Sequence, residues 1–139
     1  MNHWKYSELK IGHEEKFQVT ITESMMEQFY MITGDDNPLH RNNDFAQRKG
    51  FSSKVVYGML SASFLSTLAG VYLPGENSLI HEVETKFVKP VLVGDTLEVK
   101  GTVTERNDLF MQITIKVRII NQQGDKVLRG KMKVGVLDE

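Results

Sequence analysis

The stretch Val55-Val56-Tyr57-Gly58-Met59-Leu60-Ser61-Ala62-Ser63-Phe64-Leu65-Ser66-Thr67-Leu68-Ala69-Gly70-Val71-Tyr72-Leu73-Pro74-Gly75 contains no charged residue. It is about as long as a bilayer span requires. Four hydroxyl side chains (Ser61, Ser63, Ser66, Thr67) and the glycines within it argue for a soluble core instead. A helix that is apolar all round is a buried one. Residues 56–73 are therefore predicted to form one long core helix, stopped by Pro74-Gly75, and no membrane segment is expected.

Everything after this helix reads as strand. Val83, Thr85 and Phe87 alternate with Glu82, Glu84 and Lys86. Leu97, Val99 and Val103 alternate with Glu98, Lys100 and Thr102. The odd positions from Met111 to Ile119 are apolar, and Leu128, Met132, Val134 and Val136 alternate with Arg129, Lys131 and Lys133. Period-two alternation of this kind marks an antiparallel sheet with one wet face. Turn-forming residues separate the runs at Gly94-Asp95, Asn107-Asp108 and Gln123-Gly124-Asp125.

Upstream, residues 16–21 alternate weakly as a short strand. Thr22-Glu23-Ser24 then supplies caps for a helix in which Met25, Phe29 and Ile32 share a face. Gly34 should end that helix. A further helical turn is expected over residues 44–48. The predicted architecture is α+β, a long central helix wrapped by a curved antiparallel β-sheet, with residues 1–139 forming a single domain. Such a sheet leaves edge strands and part of the helix exposed, so a homodimer is expected.

Composition narrows the classes of function. Seventeen Lys and Arg stand against 18 Asp and Glu, interspersed, for a formal net charge of −1. No basic block stands out in the sequence, so no nucleic-acid partner is expected. The absence of cysteine removes disulfides, thiolate metal sites and thiol nucleophiles, and fits a reducing compartment. The first ten residues, MNHWKYSELK, hold no apolar signal core, and a cytoplasmic location is expected.

The densest polar constellation is Thr33-Gly34-Asp35-Asp36-Asn37-Pro38-Leu39-His40. Read blandly, it is a turn-rich loop with a surface histidine. Its place between a helix and the uncharged run argues that it packs near the core. Asp35 and His40 bring a carboxylate and an imidazole five residues apart, with a proline stiffening the link. Such a pair can grip one water from two directions and move protons near neutral pH. A metal reading of Asp35, Asp36 and His40 lacks a second histidine at ligand spacing, so no metal is expected. His3, His13 and His81 read as structural or exposed residues.

The segment from Tyr30 to His40 resembles the signature of the MaoC-like and hydratase-2 family: an aromatic residue, small residues, then G-D-x-N-P-[LIV]-H. Asp36 occupies the variable position. A second block, from Val55 to Phe64, resembles the start of that family's central helix in the hot-dog fold. A third, from Phe87 to Leu97, resembles the strand-turn-strand that follows. The first block is highly specific, whereas the other two are shared across hot-dog proteins.

The resemblance implies a hydro-lyase that adds water to a trans-2-enoyl-CoA to give an (R)-3-hydroxyacyl-CoA, or runs the reverse dehydration. It implies Asp35 and His40 as the pair that handles the water. It also implies Gly58 as the backbone N–H donor to the thioester oxyanion, at a helix N-terminus where negative charge is favoured. Tyr57 departs from the family, many of whose members carry histidine there, which leaves its substrate-binding role open. Asn37 is assigned to the loop or to a substrate amide, and Ser66 and Ala69 to the acyl tail or to packing. No cofactor is implied, coenzyme A being part of the substrate.

Three other readings remain at this point: a dehydratase acting on a thioester of an acyl carrier protein, a non-catalytic acyl-thioester-binding module, and a hot-dog thioesterase. The carrier reading calls for a basic patch beside the tunnel mouth. The binding module is weakened by the presence of both Asp35 and His40. The thioesterase is weakened because the central helix carries no carboxylate. Lys86, Lys89, Lys131 and Lys133 can meet coenzyme A phosphates or simply form a solvated face.

Overall fold

The computed structural model describes residues 1–137. Strand β1 (Glu14–Thr20) leads into helix α1 (Glu23–Thr33). The Thr22 hydroxyl caps α1 by accepting the Met25 N–H, and Gly34 ends it in the left-handed region at φ 71°. The turn formers that stop α1 also start the next helix, which the sequence did not suggest. Asn37 accepts the Leu39 N–H as N-cap and Pro38 takes the first helical position of α2 (Pro38–Arg41). Helix α3 (Asn43–Arg48) follows at once, capped by Asn42.

The uncharged run forms α4 (Gly58–Thr67), which widens without a break into a π-helical segment, Leu68–Tyr72. The expected helix over residues 56–73 is thus present with two differences. It begins two residues later because Tyr57 is its N-cap, and its last turn is π rather than α. Leu60, Leu65, Leu68, Ala69 and Leu73 are buried along it. No helix among the described residues is long and apolar enough to cross a membrane.

Strands β2 (Ser78–Phe87), β3 (Thr96–Asn107), β4 (Gln112–Ile120) and β5 (Lys126–Val136) complete one antiparallel sheet in the order β1-β3-β4-β5-β2. Register shifts at Ile80/Glu82, Val103/Glu105 and Ile119/Ile120 mark bulges, which bend and twist the sheet around the helix. Its dry face is the one the alternation predicts: Leu97, Val99, Val103, Ile113, Ile115, Val117, Ile119 and Leu128 are fully buried. Met111, predicted on that face, instead sits in the β3–β4 turn at φ 49°.

The larger difference lies in β2. Val83 and Phe87, expected to be covered, are about half exposed, as is Leu79. β2 is the last strand of the sheet, touched by the central helix but with no strand beyond it, so these side chains are covered on one side only. At the other end of the helix the N-terminal segment closes the core, with Asn2 N–H donating to the Val71 carbonyl and Trp4 N–H to that of Pro74.

Candidate active site

Local capping chemistry builds the site. After Gly34 the chain reverses, and the Asp35 carboxylate accepts the Asn37 N–H at 3.1 Å. Asn37 in turn caps α2 at 2.9 Å, and that single turn of helix presents His40. Two bonds lock α2 to the strand-like segment before α4. The Val55 N–H donates to the Leu39 carbonyl, and His40 Nδ1 lies 2.6 Å from the Val55 carbonyl oxygen. A carbonyl only accepts, so Nδ1 carries the proton and Nε2 keeps its lone pair free for chemistry.

His40, Gly58 and Ser61 line one side of a cavity of about 220 Å³, with Phe87, Pro90 and Val91 opposite. Gly58 is the first residue of α4, so its N–H has no partner within the helix and joins the positive end of the helix dipole. A Cβ placed on Gly58 would come within 3.1 Å of the Phe87 ring, so the glycine keeps this approach narrow and open. Ser61, one turn further along the same helix face, is 2% exposed, and its hydroxyl has no hydrogen-bond partner among the described residues. The three-residue offset from Gly58 was the only sequence signal for it.

Tyr57 ties these parts together. It is buried, its hydroxyl donates to the Asp35 carbonyl at 2.7 Å, and its ring lies 4.3 Å from that of His40. Phe29 supports the far side at 4.8 Å. Arg41 stacks 3.8 Å over Tyr30 and pairs with Glu27 and Asp36. Desolvation opposes its charge, but hydrogen bonds with Tyr57 and Glu27 outweigh that and raise its pKa. Asp36 is thereby drawn to the outside of the loop.

The residues singled out from sequence fall into three groups. His40 and Gly58 share the cavity. Asp35 and Asn37 belong to the loop that carries His40 but are exposed and do not line the cavity within one chain. Ser66 is exposed and Ala69 is fully buried in the core, both away from the cavity. Among the described residues, no three or more His, Cys, Asp or Glu side chains converge as metal ligands do.

Residues 7–124 match the family model described as the MaoC-like domain. The chain belongs to the MaoC-like family. It is 37% identical over 99 residues to an (R)-specific enoyl-CoA hydratase of Rhodospirillum rubrum, an overlap covering 71% of this chain and 69% of that one. It is 31% identical over 126 residues to the (R)-specific enoyl-CoA hydratase of Aeromonas caviae, covering 91% and 94%. Among solved structures, the unliganded R-hydratase of Pseudomonas aeruginosa superposes with a TM-score of 0.91 at 28% identity, over 97% of this chain and 86% of that one. The MaoC-like chain therefore has the hot-dog fold and is a hydro-lyase. In MaoC-like terms, the blocks that positioned the helix and the Asp35–His40 loop are the ones that converge around the cavity.

Proposed function

We propose that the protein hydrates trans-2-enoyl-CoA thioesters to (R)-3-hydroxyacyl-CoA thioesters and catalyses the reverse dehydration. The observation that carries this reading is the contact of His40 Nδ1 with the Val55 carbonyl, which leaves Nε2 as the ring nitrogen available for chemistry on a residue that lines one cavity with Gly58. The named activities of its relatives support the same reaction.

In this reading, water sits between His40 Nε2 and the Asp35 carboxylate at the mouth of the cavity. Its oxygen attacks C3 of the conjugated thioester while one proton leaves the water. Electron density moves through C2 onto the thioester oxygen, which the Gly58 N–H and the helix dipole stabilise. A proton delivered to C2 completes the addition, and one water is consumed for each hydroxyl formed. The pair shares the proton transfers, and the Asp35 carboxylate keeps one oxygen on the Asn37 N–H as it does so.

The free edge of β2, with Leu79 and Val83 half exposed, and the exposed Met59 on α4 support a homodimer. In this reading the second chain supplies the surroundings that Asp35, exposed in one chain, lacks. Coenzyme A thioesters are intracellular metabolites, and the lack of cysteine agrees with that setting.

The test is a spectroscopic assay with crotonyl-CoA, following loss of the conjugated enoyl absorbance. Asp35→Ala and His40→Ala are each expected to lose on the order of 10²- to 10⁴-fold in kcat, the usual worth of a positioned acid or base. Turnover that survives both substitutions removes the pair from the mechanism. Free thiol in place of hydration product makes the enzyme a thioesterase, and an (S) product overturns the stereochemistry.

A further inference from the structure

The outer face of the sheet carries a row of cations that folding does not explain. Lys16 on β1 pairs with Lys100 on β3, Lys100 with Arg118 on β4, Arg118 with Arg129 on β5, and Arg129 with Lys86 on β2. One basic side chain from each of the five strands therefore stands directly opposite the next. Val99, Val117, Ile119 and Leu128, their neighbours along the strands, are fully buried, so the row points away from the core. Like charges directly opposite each other destabilise a sheet. Of the five, only Lys100 has an ion-pair partner among the described residues, Glu14 at 3.2 Å.

Four of the five, all but Lys16, line a shallow trough of about 910 Å³ whose wall holds eight lysines and arginines in all and three glutamates. A chain whose charges nearly cancel thus gathers almost half of its 17 cations on one face. We propose that this face docks a folded protein through an acidic α-helix laid across the five strands. The proposal does not depend on the reaction catalysed in the cavity.

The dimensions select this partner. Strands about 4.8 Å apart place the ends of the row roughly 19 Å from each other. That is three to four turns of an α-helix. Carboxylates about one turn apart, at i, i+4, i+7 and i+11, offer a charge roughly every 5.4 Å along one helix face, close to the spacing of the row. A nucleic-acid duplex fits less well, because Glu14 and Glu84 stand at the two edges of the sheet, one row away, and repel phosphates that run past the ends. A second copy of this chain is disfavoured because the row would face itself.

The test uses a dye-labelled 20-residue helical peptide with glutamates on one face, and the same composition scrambled around the helix. Fluorescence anisotropy is read at about 50 mM and about 300 mM salt, where screening differs strongly. The one-faced peptide is expected to bind at least tenfold more tightly at the lower salt and at least threefold more tightly than the scrambled one. Arg118→Glu/Arg129→Glu should lose at least tenfold in affinity while keeping its circular dichroism and melting temperature. The milder Arg118→Gln/Arg129→Gln should lose at least threefold and stands in if the reversal fails to fold. No binding, equal binding of the scrambled peptide, or affinity indifferent to these substitutions overturns the proposal. A duplex DNA that binds more tightly than the peptide overturns it in favour of nucleic acid.

Discussion

The hydroxyl of Tyr57 donates to the Asp35 carbonyl at 2.7 Å, while its ring packs on His40 and its own position caps the helix that begins at Gly58. One residue thus joins the backbone of the Asp35 loop, the imidazole of His40 and the start of the central helix. Tyr57→Phe keeps the ring contacts and removes the hydroxyl, so the tie to the Asp35 carbonyl is lost together with the interaction with Arg41, which retains Glu27 and Asp36 as partners. Its expected effect is a kcat about 3- to 10-fold lower with KM within about twofold, because a loosened loop misplaces the pair more than it weakens binding. Stability should fall by roughly 1 kcal/mol, the worth of one hydrogen bond. Tyr57→His, which retains a ring and a donor, should recover most of the rate, and equal rates for all three proteins would reduce Tyr57 to a packing residue. The nearness of Asp35 and His40 was legible because five residues separate them in the chain. The Tyr57 bond was not, because its partners are 22 residues apart and meet only when the fold brings α4 under the loop.

Strands and helices follow the sequence closely wherever one local signal dominates. Period-two alternation located β3, β4 and β5, and caps located α1. Local signal failed where neighbours decide the outcome. The alternation in β2 predicted a covered face, but β2 is the last strand, and with no strand beyond it that face stays half exposed although the helix touches it. The close approach of β2 to β5 was equally hidden. At Gly130 an added Cβ would lie 1.9 Å from the Glu84 carbonyl oxygen, so the backbone itself blocks any side chain there. At Gly101 the nearest atoms, 2.9 Å away, are side-chain methyl groups of the buried Leu68 and Ile115 rather than backbone. Gly130→Ala is therefore expected at or above the upper end of the roughly 1–3 kcal/mol typical of overpacking, with Gly101→Ala nearer the lower end. Urea unfolding of both variants tests this order. Gly130→Ala should also reduce hydration, since β2 carries Phe87 into the cavity wall.

At the scale of the whole molecule, the basic row shows how a surface can be invisible in a sequence: its five members are spread from residue 16 to residue 129, one per strand. The free β2 edge was anticipated in kind, since any open sheet has edges, but not in place. An edge of ten residues with half-exposed Leu79, Val83 and Phe87 is an open template for another strand. Twofold pairing of β2 with β2 gives both chains the same contact and leaves that edge covered. The protein should accordingly sediment at twice its 15.9 kDa chain mass. Val83→Glu puts a charge into the contact, and a second copy brings an identical charge against it. That variant is expected to shift to monomer at low micromolar concentration with its circular dichroism unchanged, because Val83 is already 48% exposed in the single chain. On the proposed reading, in which the second chain encloses the otherwise exposed Asp35, its hydration rate should fall with dissociation. A wild type that sediments as a monomer, or a monomeric Val83→Glu of full activity, would show that the cavity of one chain is sufficient.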